Sequence, residues 1–318
     1  MILSFAPMEG VTGASYRRIH SEIFPGADKY YAPFIAPDSQ GNFRLKHLRD
    51  VLPDNNRGIA LVPQILANSP EAFLSVAAQL KELGYEEVNL NAGCPSGTVV
   101  SKHKGAGMLS DLSSLDAFLS RVFEAAPIKV SVKTRMGMNS TGEFPAILDV
   151  YNRYPLSELI IHARDRAGLY KSLPDREAFA RVFANCPFPV CYNGNIFNAE
   201  HMASLTAQVP ELSRVMLGRG AAANPALFRV LKGGPALQRD ELREFHDRLL
   251  DDALSSGLSP HYAMARMKEL WYYMIRMFPG SAKEYKALNK SRSLDDFRSA
   301  VSCIFSSCTF DPDTGFNG

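Results

Sequence analysis

Glu87-Val88-Asn89-Leu90-Asn91-Ala92-Gly93-Cys94-Pro95 is the stretch on which the reading of this chain turns. A short β-rich run, 87–90, passes without a break into amides, a glycine, a thiol and a proline. Seven further runs read as strands: 2–6, 29–34, 59–65, 129–132, 159–161, 189–192 and 214–217. Short apolar runs bounded by turn signals suit parallel strands covered on both faces. Amphipathic stretches lie between them. The clearest runs from Pro70 to Gly84, with Phe73, Leu74, Ala77, Leu80 and Leu83 at helical spacing and Gly84 as the stop. Eight strand–helix repeats before residue 232 predict an α/β fold, a (β/α)8 TIM barrel. An open doubly wound sheet is the alternative, because a strand count does not show closure.

Beyond Gly233-Gly234-Pro235, a natural linker, the pattern changes. Only helical periodicity follows, over 239–256, 261–277, 282–290 and 293–306. The chain is therefore expected to divide into a catalytic barrel, 1–235, and a small all-α helical domain, 236–318. Residues 42–57 fit neither strand nor helix and are expected as an extended loop. The last dozen residues are expected to fray.

Composition narrows the class. With 46% hydrophobic and 21% charged residues the chain reads as globular. A net charge of +2 gives no global positive field, so any basic surface is local. No apolar run is long enough for a bilayer, so no membrane partner is expected. The first residues read as a buried strand rather than a signal peptide. Five cysteines without a CxxC pair argue against a disulfide framework or a zinc site and favour a reducing cytoplasm.

The polar residues have a positional logic. Strand ends carry Pro7-Met8-Glu9-Gly10, then Gln64, then Asn89 to Pro95, then Lys133 and Arg135. His162 and Arg164, Asn193-Gly194-Asn195 and Gly218-Arg219-Gly220 complete the set. In a barrel all of these gather at the C-terminal mouth, where barrel enzymes keep their active sites. Singly, each has a plain structural explanation: an exposed lysine, a hydrogen-bonded histidine, a buried thiol, a turn. Seven such strand ends together exceed what turns require. The glycine turns after strands seven and eight suggest a phosphate site, of a substrate or of FMN. Neither a GxGxxG fingerprint nor a P-loop is present.

Several motifs then stand in a telling order. They are Ala6-Pro7-Met8-Glu9-Gly10-Val11-Thr12, Asn91-Ala92-Gly93-Cys94-Pro95 with Gly105-Ala106-Gly107, and Val132-Lys133-Thr134-Arg135. Ile161-His162-Ala163-Arg164, Asn193-Gly194-Asn195-Ile196 and Gly218-Arg219-Gly220-Ala221 follow. In this order they resemble the tRNA-dihydrouridine synthases of bacterial type, and a helical segment follows as in that family. The resemblance implies FMN, NADPH as reductant, and uridine in tRNA as substrate. It also implies roles. Pro7, Met8 and Glu9 should line the flavin, and Gln64 should bond its ring. Lys133 should sit at the flavin's N1/O2 edge with His162 nearby. Asn91 should place flavin or uracil. Asn193, Gly194, Asn195, Gly218 and Arg219 should hold the FMN phosphate, and Cys94 should be the acid.

Two departures from the family stand out. Asn195 occupies a position that is usually acidic. Ser96-Gly97-Thr98 follow Cys-Pro where a basic residue is common, with Lys102, His103 and Lys104 only later. Reducing the C5–C6 bond of uracil needs a hydride on C6 and a proton on C5. A thiol suits the second task, being mostly protonated near neutrality yet able to release its proton. The loop 93–107 is expected to be flexible and to close over the base.

RNA affinity should come from phosphate contacts. Arg266, Lys268, Arg276, Lys283, Lys286, Lys290 and Arg292 are the candidates. Trp271, Tyr272 and Tyr273 read as helical core rather than stacking groups. A monomer suits so large a ligand. The competing readings are a synthase acting on ribosomal RNA, a flavin barrel reducing a free small molecule, an aldolase using Lys133 as Schiff base, and a catalytically silent RNA binder.

Overall fold

The computed structural model describes residues 1–38, 41–314 and 316 of the chain. Its strands are β1 Ile2–Phe5, β2 Lys29–Tyr31, β3 Leu61–Val62, β4 Gln64–Ile65, β5 Glu87–Ala92, β6 Lys129–Arg135, β7 Leu159–His162, β8 Val190–Asn193 and β9 Arg214–Leu217. Every neighbouring pair is parallel, in the order β3-β2-β1-β9-β8-β7-β6-β5-β4. β1 pairs with β9 along its length, from Ile2 opposite Arg214 to Phe5 opposite Leu217. The formal ends of the sheet, β3 and β4, are two halves of one stave. Pro63 separates them because it has no N–H to give to a ladder. Its carbonyl still accepts from Asn89 N at 2.9 Å. The predicted single strand 59–65 is therefore interrupted. The sheet closes as a barrel of eight staves, which removes the doubly wound alternative.

Alternation along the strands sorts residues to the two faces. Phe5, Tyr30, Leu90, Val132, Ile161, Tyr192 and Leu217 point outward into the core beneath the helices. Ala6, Tyr31, Val62, Ile160, Cys191 and Met216 form a separate cluster inside the barrel. Below that cluster an ionic network closes the floor. Lys29 Nζ lies 2.8 Å from Glu87 Oε2 and 3.6 Å from Glu158 Oε2. Arg214 Nη1 is 3.1 Å from Glu158 Oε1, and Tyr31 donates to the same buried carboxylate. Lys29, Glu87 and Arg214 are the first residues of their strands, and Glu158 immediately precedes β7. The opposite end is left for chemistry.

The helices are α1 Ala14–Ile23, α2 Leu45–Val51, α3 Pro70–Glu82, α4 Gly97–Val100, α5 Leu112–Ala125, α6 Phe144–Tyr151 and α7 Arg176–Phe183. There follow α8 Ala199–Gln208, α9 Arg219–Ala223, α10 Leu227–Leu231, α11 Arg239–Ser255, α12 Pro260–Met274, α13 Ala282–Lys290 and α14 Leu294–Ser307. The last four form the helical C-terminal region. α3 begins as its sequence requires: Ser69 caps it through Ala72 N, and Pro70 fills the first turn.

Three expectations are corrected. The segment 42–57 is not an extended loop but contains α2 and a 3-10 turn, Pro53–Asn56. Buried Arg17 organises it, donating to Asp50 O and to Asn56 Oδ1, while Asp50 Oδ1 accepts from Ala14 N. These are contacts between distant residues, which local periodicity does not carry. The loop 93–107 is built rather than loose, with α4 inside it and Ala106 N bonded to Cys94 O. The described part of the tail does not fray either. Asp311 N donates to Met277 O at 2.9 Å, and Phe316 is buried.

Candidate active site

The C-terminal ends of the strands enclose a cavity of about 410 Å³, within the range of small-molecule sites. The structure brings all thirteen sequence-predicted residues to it. Pro7, Met8 and Glu9 come from the β1 end, Gln64 from β4, and Asn91 and Cys94 from β5 and the loop after it. Lys133 comes from β6, His162 from β7, and Asn193, Gly194 and Asn195 from the β8 end. Gly218 and Arg219 stand at the β9 end. A second, larger cleft of about 690 Å³ shares Glu9 and Pro33 with this cavity. It runs between the β1–α1 loop and α12, and mixed charges line it, among them Arg18, Asp50, Arg266 and Glu269.

A relay of buried amides seats the thiol. Asn89 Nδ2 donates to Ser131 Oγ at 2.9 Å, and Gln64 Nε2 donates to Asn89 Oδ1 at 2.8 Å. Asn91 Nδ2 donates to Gln64 Oε1 at 2.7 Å. The Asn91 Oδ1 in turn accepts from Gly93 N and Cys94 N, at 3.1 and 2.9 Å. Three strands thus set the position of Cys94. From behind, Gly105 holds the same residue in place. A methyl group there would come within 2.9 Å of the Cys94 Cβ, and the backbone is left-handed at φ +56°, a position that favours glycine. Asn89 stood in the strand end quoted from the sequence, but Ser131 was not singled out. The period-2 alternation that puts Lys133 inside the barrel also puts Ser131 there, and that signal could have found it.

The cavity is rich in cations. Among the described residues Lys133, Arg135, Arg164 and Arg219 line it against one carboxylate, Glu9. Burial and the neighbouring Arg135 lower the Lys133 ammonium to about 8. Among the described residues Lys133 has no hydrogen-bond or ion-pair partner, and it faces the cavity. Burial, then Arg135 and Lys133, hold the His162 imidazole well below its ordinary range, and it is neutral near pH 7. Arg164 Nη1 lies 3.0 Å from His162 Nε2. A guanidinium only donates, so Nε2 accepts and the ring proton sits on Nδ1. Asn195 Oδ1 accepts from both Arg164 Nη2 and Arg219 Nη2, at 2.9 and 2.8 Å. One neutral amide therefore aims two arginines.

Aromatic rings complete the walls. Tyr170 lies over the Arg219 guanidinium at 4.8 Å and over Arg135 at 5.4 Å. Phe34, Phe197, Tyr272, Tyr273 and Phe316 also line the cavity. Trp271 is buried core, as expected, but Tyr272 and Tyr273 are not, which corrects the helical-core reading for those two. Tyr272 is 47% exposed. Long-range packing decides these positions, and only the adjacency of three aromatics in α12 hinted at them. Among the described residues there is no cluster of metal ligands, and no helix is long and apolar enough to cross a membrane.

A closed parallel barrel whose mouth joins a thiol, a lysine and a set of arginines defines a barrel enzyme. The family model for dihydrouridine synthases matches residues 4–294, and the chain belongs to that family. Over 316 residues it is 27% identical to the tRNA-dihydrouridine(16) synthase of Shigella flexneri, covering 96% of this chain and 98% of that protein. The corresponding enzyme of Shewanella oneidensis is 29% identical over 309 residues, covering 93% and 96%. tRNA-dihydrouridine synthase B of Pseudomonas aeruginosa is 26% identical over 295 residues, covering 90% and 86%. Among solved structures, morphinone reductase shares the fold with a TM-score of 0.53 and 13% identity, covering 75% of this chain and 87% of that one. Histamine dehydrogenase from Rhizobium sp. 4-9 gives 0.58 and 10%, covering 84% of this chain and about half, 48%, of that one.

Proposed function

We propose that this chain reduces uridines of tRNA to 5,6-dihydrouridine with FMN held in the mouth cavity and NADPH as reductant. The observation that carries the reading is that one cavity joins Cys94, seated by Asn91, with Lys133, which has no partner among the described residues. Family membership and the relatives named for tRNA support the substrate.

The residues fit the cofactor. Four cations against one carboxylate suit a phosphate dianion at one end and an electron-rich ring edge at the other. When bound, the reduced flavin supplies the hydride that goes to C6 of uracil. Lys133 holds positive charge at the ring edge. Asn193, Gly194, Asn195, Gly218 and Arg219 hold the phosphate, with Asn195 acting by orienting Arg219. Pro7, Met8 and Glu9 line the ring. Gln64 spends its Oε1 and one N–H on the relay, which leaves one N–H for the ring. Cys94 would carry the proton at Sγ and deliver it to C5 of the uracil. His162, neutral and with its proton on Nδ1, holds Arg164 in line rather than acting as a charged acid.

Residues 236–318 form the RNA-binding part of this reading, in a cytoplasmic, monomeric enzyme. Of the expected phosphate contacts, Lys268 is engaged, donating to Asn289 O and Ser291 O at the end of α13. Arg266, Arg276, Lys283, Lys286, Lys290 and Arg292 are exposed and supply the field. The target base leaves its stack to enter the cavity. The test is direct: purified protein, FMN and NADPH are incubated with unmodified tRNA transcript, and dihydrouridine is mapped. Absence of flavin binding, or of dihydrouridine with flavin bound, overturns the proposal.

A further inference from the structure

The described tail of the chain ends inside the site. After α14 the chain is fastened twice, by Asp311 N to Met277 O at 2.9 Å and by Asn224 Nδ2 to Pro312 O at 3.2 Å. Asn224 closes α9, the element that begins with Arg219. Between these fastenings and the cavity, Phe316 is only 2% exposed. Its ring stands 5.8 Å from Phe197 and 5.7 Å from Tyr273, and the Arg219 guanidinium lies over it at 5.1 Å. Tyr170 holds Arg219 from another side, and Asn195 takes one of its N–H groups. The remaining donors of Arg219 have no protein partner among the described residues.

We infer that Phe316 is a positioning residue for the cofactor: the tail walls the anion end of the cavity and fixes Arg219 on the bound phosphate. This rests on the flavin reading above. A guanidinium held by rings on an apolar surface is weakly hydrated and keeps its planar fork preorganised for an oxyanion. Without Phe316 the same guanidinium turns to water, and the phosphate end of the cavity opens to solvent.

The consequence is selective. Phe316 acts on the phosphate end, so its loss weakens FMN and leaves riboflavin, which lacks the phosphate, nearly untouched. The experiment measures equilibrium binding of FMN and of riboflavin by fluorescence quenching, on full-length apo-protein, for wild type, Phe316→Ala and Phe316→Trp. We expect Phe316→Ala to weaken FMN about tenfold, within the range of one ring–cation contact, with riboflavin changed less than twofold. Phe316→Trp, which keeps a ring over Arg219, should restore most of the preference. Unchanged FMN affinity in Phe316→Ala overturns the inference. So does an equal loss for both ligands, which would mean a structural role only. If wild type binds neither ligand, the flavin reading itself fails.

Discussion

At the scale of single residues the proposed proton donor and the proposed cofactor-binding groups come from different parts of the site. Cys94 is held by the backbone of its own loop and by Asn91, whereas the cationic groups come from other strand ends. Cys94→Ala should therefore keep its flavin and its oxidation of NADPH while dihydrouridine formation falls by roughly 10²–10⁴. Stopped-flow measurement of each half-reaction checks this, and a wild-type rate of product formation would remove Cys94 from the role. Lys133 should behave differently. Its folded value of about 8 lies below the ordinary lysine value, so the folded chain binds this proton less tightly than the unfolded chain does. The charged form thus costs stability below about pH 8, and the cost fades as pH rises from there toward the lysine's ordinary value. Lys133→Met should raise the melting temperature of the flavin-free protein at neutral pH, with the gain shrinking in alkaline buffer. The same substitution should weaken FMN. In the wild type FMN affinity should fall as pH passes through about 8, and in the variant that step should be missing. Titrations of both proteins over this range decide it.

At the scale of elements, much was legible because two periods were clean. The strand alternation that places Tyr31, Ile160, Cys191 and Met216 inside the barrel also carries Asn91, Lys133, His162 and Asn193 upward to the mouth. The four C-terminal helices stand within a few residues of their expected places, apart from the 3-10 turn Ile275–Met277 that ends the second. What escaped was structure made by distant contacts. α2 depends on Arg17, and the loop carrying Tyr170 depends on Arg135, whose Nη1 donates to Asp165 O and Leu169 O at 2.8 and 3.0 Å. No local pattern encodes such bonds. The loop after β5 yields a sharp prediction. In Gly105→Ala the new methyl meets Cys94 on a left-handed backbone and displaces the thiol. Dihydrouridine formation should drop by roughly 10², the cost of about 1 Å of misplacement, with flavin content unchanged. A variant that loses flavin in parallel would show that the loop supports the whole cavity.

At the scale of the molecule, the helical region is part of the site. Phe245 of α11 packs edge-on against Tyr16 and Phe24, and Tyr272, Tyr273 and Phe316 line the cavity. Arg229 pairs with Glu241 across the linker. Removing 236–318 should therefore abolish RNA binding and also weaken flavin retention, because it strips one wall from the cavity. Gel-shift and flavin absorbance on the truncated protein test both halves; a barrel that keeps its flavin at full occupancy would place every essential wall before residue 236. Binding of tRNA by the intact chain should fall steeply with salt, log affinity declining linearly with log salt concentration. An affinity insensitive to salt would move recognition away from the exposed arginines and lysines.

The pairing of β1 with β9 also bears on how the chain is made. One edge of the first strand is completed only by residues 214–217. A ribosome adds roughly 5–20 residues per second, so that edge waits on the order of 10–40 s before its partner exists. Throughout this interval the nascent sheet is open and able to pair with a neighbouring chain. The barrel cannot close on itself, and so hide this edge from its own copies, before residues 214–217 have been made.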